Sequence, residues 1–523
     1  MKRSCLMALL LMCALPACDG VRTAPVIVQT GRGGDRLHQV EPLGSAAESV
    51  FTLTVDTANP RQVLEGFGAS FTESSAWNLA CLPQSDRDAV LTKLFDPVAG
   101  AGFTLMRTHI NSCDYSLRHY TYSEPGDLAL DSFDITEDTQ GFSGTEHDQV
   151  AGIEMDDPGF DLIPMIQAAS DVSGADFRVI ASPWSPPSWM KVGEHAVMTG
   201  GHLKRDVDES GRRIYYDAWA RYFVAYVKAY REAGVDIWAL TPQNEPGHAD
   251  HARWDTCFWS AEWQRELVGE YLGPALEEVG LLDPDDLASG VRLYVFDHNK
   301  ADALASVPVI LDDPEANRYT YGIAIHWYAI NLGGKQDYRG DVLDELVRRY
   351  PDKPILHTES SIDIHEDDPV GQYWDPMNQD WTRGYFTPFS QYAIDIITDL
   401  NHGATGYIDW NMVLSSTGGP NPYDNFNSAS ILVDPVERTV LYTPLYYLLG
   451  HFSKYIRPGA VLLDLGGELP DGVHATAARN VDGSVAVIVF NDNDEPLDFS
   501  VTDNGGAVTS TIAPDSIQTI LME

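Results

Sequence analysis

Eight short apolar runs recur along the middle of this 523-residue chain, each closing on polar or aromatic residues before a helix-like stretch begins. They end at Gly66-Phe67-Gly68, Leu105-Met106-Arg107, Val179-Ile180-Ala181, Trp238-Ala239-Leu240, Leu293-Tyr294-Val295, Ile323-Ala324-Ile325, Ile355-Leu356-His357 and Tyr407-Ile408-Asp409. Apolar residues at three- and four-residue spacing predict helices over Ser85–Phe95, Asp217–Ala233, Ala261–Val279, Val342–Tyr350 and Gln391–Asn401. Strands alternating with helices imply a parallel sheet, and eight such units imply closure into an α/β (β/α)8 barrel rather than an open sheet. The barrel is expected over residues 62–450.

Past the barrel, Val473–Ala478, Ser484–Asn491, Leu497–Thr502, Ala507–Ile512 and Ser516–Met522 read as strands joined by Asp-Gly, Asn-Asp and Gly-Gly turns. They predict a side β-sandwich domain over residues 451–523, completed by an N-terminal strand over 50–61 whose Val50–Val55 segment alternates with period two. Residues 19–49 read as a polar linker and residues 1–18 as an export signal: Lys2 and Arg3 precede an apolar run, Leu6–Leu15, that is too short to span a bilayer. The run ends in Leu15-Pro16-Ala17-Cys18, which resembles the lipobox of bacterial lipoproteins. The expectation is therefore an exported protein, either attached to a membrane through a lipidated Cys18 as a periplasmic or cell-surface lipoprotein, or cleaved and secreted. Outside that leader only Cys81, Cys113 and Cys257 remain, an odd number that argues against a disulfide framework.

With 77 Asp and Glu against 34 Lys and Arg, the formal net charge is −43, which excludes a nucleic-acid backbone as partner. There is no P-loop and no GxGxxG after the first strand.

In a closed parallel barrel the active site lies at the C-terminal strand ends. Those positions hold Arg107, His109 and Asp114; Ser182-Pro183-Trp184; Gln243-Asn244-Glu245-Pro246; Asp297-His298-Asn299; His326-Trp327-Tyr328; Thr358-Glu359-Ser360; and Asp409-Trp410-Asn411. Indoles among carboxylates, amides and imidazoles suit a sugar, whose C–H faces stack on aromatic rings while its hydroxyls need polar partners. Glu245 at the fourth strand end and Glu359 at the seventh face each other across the mouth. Glycoside hydrolysis needs such a pair, and their separation decides between retention and inversion. Glu245, pinned between Asn244 and Pro246, suits the acid/base, whose proton nearby negative charge and partial burial would hold. Glu359 suits an ionised nucleophile supported by donors such as Arg107 or Tyr328. This chemistry requires no metal or cofactor.

The segments Leu64-Glu65-Gly66-Phe67-Gly68, Asn111-Ser112-Cys113-Asp114-Tyr115-Ser116, Ser182-Pro183-Trp184-Ser185-Pro186-Pro187-Ser188-Trp189-Met190-Lys191 and Thr241-Pro242-Gln243-Asn244-Glu245-Pro246 resemble glycoside hydrolase family 30, the glucosylceramidase family. So do His326-Trp327-Tyr328, Asp409-Trp410-Asn411, Gly418-Gly419-Pro420-Asn421 and His451-Phe452-Ser453-Lys454. The resemblance implies a retaining β-glycosidase with Glu245 as acid/base and Glu359 as nucleophile. It further implies Asp114, Trp184, Asn244, Trp410 and Asn425 as sugar contacts, and Arg107 and Tyr328 as partners of the nucleophile, with Tyr328 counted among the substrate-binding residues. It leaves His326 open between bracing a strand end and touching sugar. Ser360-Ser361 departs from the small or cysteine-containing pair expected after the nucleophile.

The expected partner is a β-linked glucoside, as glycolipid or oligosaccharide. A β-1,6-glucanase or a β-xylosidase-like enzyme of the same family is the alternative, and a catalytically silent carbohydrate-binding surface protein the reading from another class.

Overall fold

The computed structural model describes residues 24–522, apart from 44–48, 143–149, 175, 193–197, 249–253, 329–335, 363–385, 424 and 504–505. The leader with Cys18 lies outside the described residues.

Eight parallel strands close a barrel: β1 (Gly66–Ser70), β2 (Leu105–Ile110), β3 (Arg178–Pro183), β4 (Ile237–Leu240), β5 (Arg292–Asn299), β6 (Gly322–His326), β7 (Ile355–Glu359) and β8 (Ala404–Asn411). Each contains one of the eight apolar runs, and β8 pairs with β1 to complete the ring. All eight are covered by helices, so they read as continuous apolar runs rather than alternating ones. Leu105, Ile180, Ala239, Tyr294, Ala324, Leu356 and Ile408, one from each of seven strands, form a buried cluster of their own.

The five helices read from spacing are present, the third as Ala261–Leu267 and Gly273–Glu278 around a π-turn at Val268–Leu272. Others give no amphipathic signal. Every residue of Glu73–Ala80 is buried, which erases the polar stripe, and Ala303–Leu311 carries Pro308 inside it.

The second body is a nine-stranded sheet around its own core, which includes Leu53, Val487, Phe499, Val501 and Ile520. Its N-terminal contribution is larger than expected. Besides Phe51–Val63, the strands Val26–Gly31 and His38–Val40 join it, and Val26–Gly31 pairs antiparallel with Ser516–Met522. The linker reading of 19–49 is therefore corrected: Val26–Gly31 is buried on both faces, so alternation does not announce it, and it pairs with the three-residue His38–Val40 across a local turn and with Ser516–Met522 at the far end of the chain. The 450/451 boundary falls inside the helix Pro444–Ser453, whose buried His451 bonds Thr519 and Thr30 of the side sheet at 2.8 and 2.9 Å. Cys81, Cys113 and Cys257 are buried free thiols.

At three C-terminal strand ends the ladder slips by one residue. Asp297 is skipped between β5 and β6, Thr358 between β6 and β7, and Trp410 between β8 and β1. A bulge bends its strand and re-aims the side chains beside it, and all three lie on the same rim. Closure at β1 depends on Gly68: a Cβ there would lie 2.1 Å from the Leu105 carbonyl oxygen and 2.7 Å from the Met106 sulfur. Backbone cannot yield as a side chain can, so Gly68→Ala is expected to destabilise the fold by about 1–3 kcal/mol, read as a lower urea midpoint; an unchanged midpoint would contradict this packing.

Candidate active site

Arg107, the third of the six residues of β2, is completely buried beneath the rim. Its Nη1 donates to Glu359 Oε2 at 2.5 Å, Nη2 to Asn244 Oδ1 at 2.6 Å and Asp297 Oδ2 at 3.1 Å, and Nε to Ser182 Oγ at 3.2 Å. The guanidinium lies 4.7 Å from the Trp184 ring centre and 5.5 Å from that of Trp410. Those two indoles stack at 4.8 Å and form an apolar wall. Because Asn244 accepts from Arg107 through its oxygen, its amide nitrogen is left for the cavity.

Glu359 receives a second donor, the Tyr328 hydroxyl at 3.0 Å from Oε1. One carboxylate oxygen each of Glu245 and Glu359, with a ring nitrogen of His326, lie within 4.8 Å of one another. Glu245 and Glu359, together with Asp114, Trp184, Asn244, Tyr328, Trp410 and Asn425, line one cavity of about 220 Å³, while His326 lies beneath it. Every site residue predicted outside the leader is thus brought together. His248, Trp254, Asn299 and Asn427 complete the lining, and the sequence reading had not singled them out as contacts. Asp114 Oδ1 is buried with no hydrogen-bond partner among the described residues. Burial, then the charges of Glu359 and Glu245, raise its carboxyl well above the usual range.

Asp297 was not expected to matter, yet the site is organised around it. Its carboxylate accepts from Arg107, Ser182 Oγ (3.0 Å), Thr241 Oγ1 (2.6 Å), Thr358 Oγ1 (2.7 Å) and His326 Nε2 (3.0 Å). Burial alone would raise its pKa, but Arg107 and His326 outweigh burial and hold it far below the usual range. Both Asp297 (φ +53°) and Glu245 (φ +45°) occupy the left-handed region, a strain found where function fixes the backbone. The available signal was position alone, an Asp at the end of β5.

His326 Nδ1 lies 3.5 Å from Glu245 Oε1 and 3.9 Å from Glu359 Oε1. Burial disfavours a charged imidazole, but Glu359, Asp297 and Glu245 overcome it and raise the His326 pKa to about 9. Its charge in turn reverses the expectation for Glu245. Burial would raise that carboxyl, but His326, then His298 and His248, pull it to about 2. Glu359 moves up: burial and the facing Glu245 exceed the pull of His326 and Arg107. Negative charge was expected to hold a proton on Glu245; instead the imidazoles of His326, His298 and His248 face it and lower its carboxyl. The Glu245–His326–Glu359 trio has the spacing of a cation site, but Arg107 and His326 already supply its positive charge. Ser360, where the motif departs, donates to Asp409 Oδ1 at 3.2 Å.

Models of two domains match this chain: the glycosyl hydrolase family 30 TIM-barrel domain over residues 64–456 and the family 30 beta-sandwich domain over 459–520. The chain belongs to glycosyl hydrolase family 30. This family 30 enzyme is 30% identical to the lysosomal acid glucosylceramidase of Mus musculus over 475 residues, 90% of this chain and 83% of the mouse protein. It is 27% identical to an endo-1,6-beta-D-glucanase of Aspergillus fumigatus over 90% of this chain and 87% of the other. Among solved structures, SrfJ of Salmonella typhimurium superposes with a TM-score of 0.78 at 25% identity, over 95% of this chain and 99% of that one. The endo-beta1,6-glucanase BT3312 does so at 0.76 and 25%, over 95% and 98%.

Removing Arg107 leaves two buried carboxylates uncompensated. Arg107→Met is expected to cost about 3–5 kcal/mol of stability, measured by urea unfolding; a loss below about 1 kcal/mol would mean the pairs lie in effectively high dielectric.

Proposed function

We propose that this glycosidase is an exported, exo-acting β-glucosidase of the glucosylceramidase type that works with retention, Glu359 as nucleophile and Glu245 as acid/base. The observation that carries the reading is the approach of the two carboxylates to within 4.8 Å. Retaining enzymes need about 5–5.5 Å and inverting ones about 6.5–9.5 Å, to admit a water. The cavity of about 220 Å³ is smaller than the ~300–1,000 Å³ typical of larger ligands, which favours one terminal sugar over a polymer segment. Export, with or without lipidation at Cys18, belongs to the same proposal and rests on the leader sequence.

In the mechanism, His326 passes its Nδ1 proton to Glu245 while Nε2–H stays on Asp297. Glu245 protonates the departing oxygen as Glu359 attacks C1 from the opposite face, giving a glycosyl ester. Glu245, now a carboxylate, takes a proton from the water that attacks C1, and Glu359 leaves as carboxylate. The Asn244 amide nitrogen donates to the 2-hydroxyl, a bond that strengthens in the transition state.

The test is a substrate panel with stereochemistry. Glucosylceramide and aryl β-glucosides are expected to be cleaved with a β-configured first product, and Glu245→Ala with azide to yield a β-glucosyl azide. The relatives of glucanase name favour a second reading, and rapid cleavage of β-1,6-glucan with neither glucoside touched would install it; an α-configured first product would remove the retaining mechanism.

The pH profile follows from the shifts. Glu359 must be ionised to attack and is raised from 4.5, so kcat/KM falls on acidification at higher pH than for a free glutamate. His326 is raised, so the proton it shares with Glu245 persists above 6.5 and is lost as pH rises through about 9. An alkaline limb near pH 9 in wild type, moved or abolished in His326→Asn, is expected; an alkaline limb unchanged in the variant would remove His326 from the proton path.

A further inference from the structure

Behind the nucleophile, on the outer side of β7, lies a completely buried ionic cluster that the mechanism above does not use. Lys300 Nζ donates to Asp395 Oδ1 and Asp399 Oδ1 at 2.7 Å each, and His357 Nδ1 lies 2.6 Å from Asp399 Oδ2. The His357 ring stacks on Tyr407 at 3.8 Å, and the Tyr407 hydroxyl donates to Asp395 Oδ2 at 3.2 Å. His357, Asp395 and Asp399 have the spacing of a cation site, but the Lys300 ammonium already lies against both carboxylates.

The outward link is the informative one: His357 Nε2 lies 2.8 Å from the main-chain oxygen of Glu359. A carbonyl cannot donate, so the hydrogen of this contact is on Nε2. The carbonyl lies next to the slip at Thr358 and also accepts from Trp327 N at a longer 3.3 Å. The same slip breaks alternation: His357 faces the Phe386–Asn401 helix, whereas Thr358 bonds Asp297 and Glu359 enters the cavity.

We propose that His357 is a positioning residue for the nucleophile. Its Nε2–H pins the Glu359 carbonyl at the bulge, and Asp399, held by Lys300, pins the ring. The side chain of Glu359 is aimed by Arg107 and Tyr328, but its backbone is aimed by His357. This inference rests on the reading of Glu359 as nucleophile.

The test follows covalent labelling of Glu359 by 2,4-dinitrophenyl 2-deoxy-2-fluoro-β-D-glucopyranoside, with mass analysis of the peptide bearing it. Glutamine at 357 can place an amide N–H where Nε2 was, whereas asparagine can reach only Asp399. His357→Gln is expected to keep labelling within about 10-fold of wild type. His357→Asn and His357→Phe are expected to slow it by about 100-fold, the cost of a nucleophile about 1 Å out of place, with the inhibitor's binding constant little changed. A merely structural role predicts the opposite order, so asparagine labelling as fast as glutamine, or faster, overturns the proposal. If the variants do not fold, wild type labelled with ¹⁵N-histidine decides: a protonated Nε2 in slow exchange is expected, and a bare Nε2 overturns it. Wild type labelled at another carboxylate would instead remove the reading of Glu359 as nucleophile.

Discussion

The Arg107 guanidinium is the interaction on which the site depends. It rises from β2 and bonds groups on or just past the ends of β3, β4, β5 and β7: Ser182, Asn244, Asp297 and Glu359. Only a planar fork of five donors can satisfy four acceptors in these directions while its face packs against indole; an ammonium has three donors and no face. Burying Asp297 and Glu359 without it would leave two charges in a medium that cannot solvate them. The same cation that stabilises the rim therefore also holds Glu359 on one side and Asn244, the neighbour of Glu245, on the other.

A regular barrel would not deliver this arrangement. Strict alternation allows only every second residue of a strand to face the axis, yet Thr358 and Glu359 both bond groups inside the rim. The slips at Asp297, Thr358 and Trp410 remove that restriction where side chains must converge. Each slip leaves backbone groups without ladder partners, and the molecule supplies others. The Trp410 amide donates to the Ser360 carbonyl at 2.8 Å, and the Glu245 amide to that of Asp297 at 2.9 Å. Strain at Glu245 and Asp297 persists because these bonds over-determine the backbone.

The barrel was legible because each strand is a run of apolar residues ending at a polar rim, a pattern set by burial on both faces. Glu245, Glu359, Arg107 and Trp410 were legible from their places at those ends. Asp297 and His357 were not, because what distinguishes them is a register slip, which depends on the facing strand and leaves no local trace. The strand Val26–Gly31 escaped for a related reason: one partner, Ser516–Met522, is almost the whole chain away, and the local one, His38–Val40, is only three residues long. The pKa order of Glu245 and Glu359 also eluded the sequence. It depends on three imidazoles, from β5, β6 and the loop past β4, that meet only in the folded rim.

The charges around the sugar site bear on how a barrier would be lowered there. Glu245, Glu359 and Asp297 face Arg107 and a charged His326, while Asp114 is pushed toward its neutral form by burial and by the two glutamates. A protonated Asp114 can donate to a sugar hydroxyl without adding charge, and a neutral acid in that position also spares Glu359 a further repulsion. In the proposed mechanism Glu245, Glu359 and Asp297 then outnumber the cations Arg107 and His326 beside the anomeric carbon. Positive charge develops at that carbon as the bond to the leaving group breaks. Fixed dipoles and charges that match it stabilise the transition state more than the bound substrate. The excess is set by how many carboxylates Arg107 and His326 leave uncompensated, so the residues that hold the rim together also tune its field.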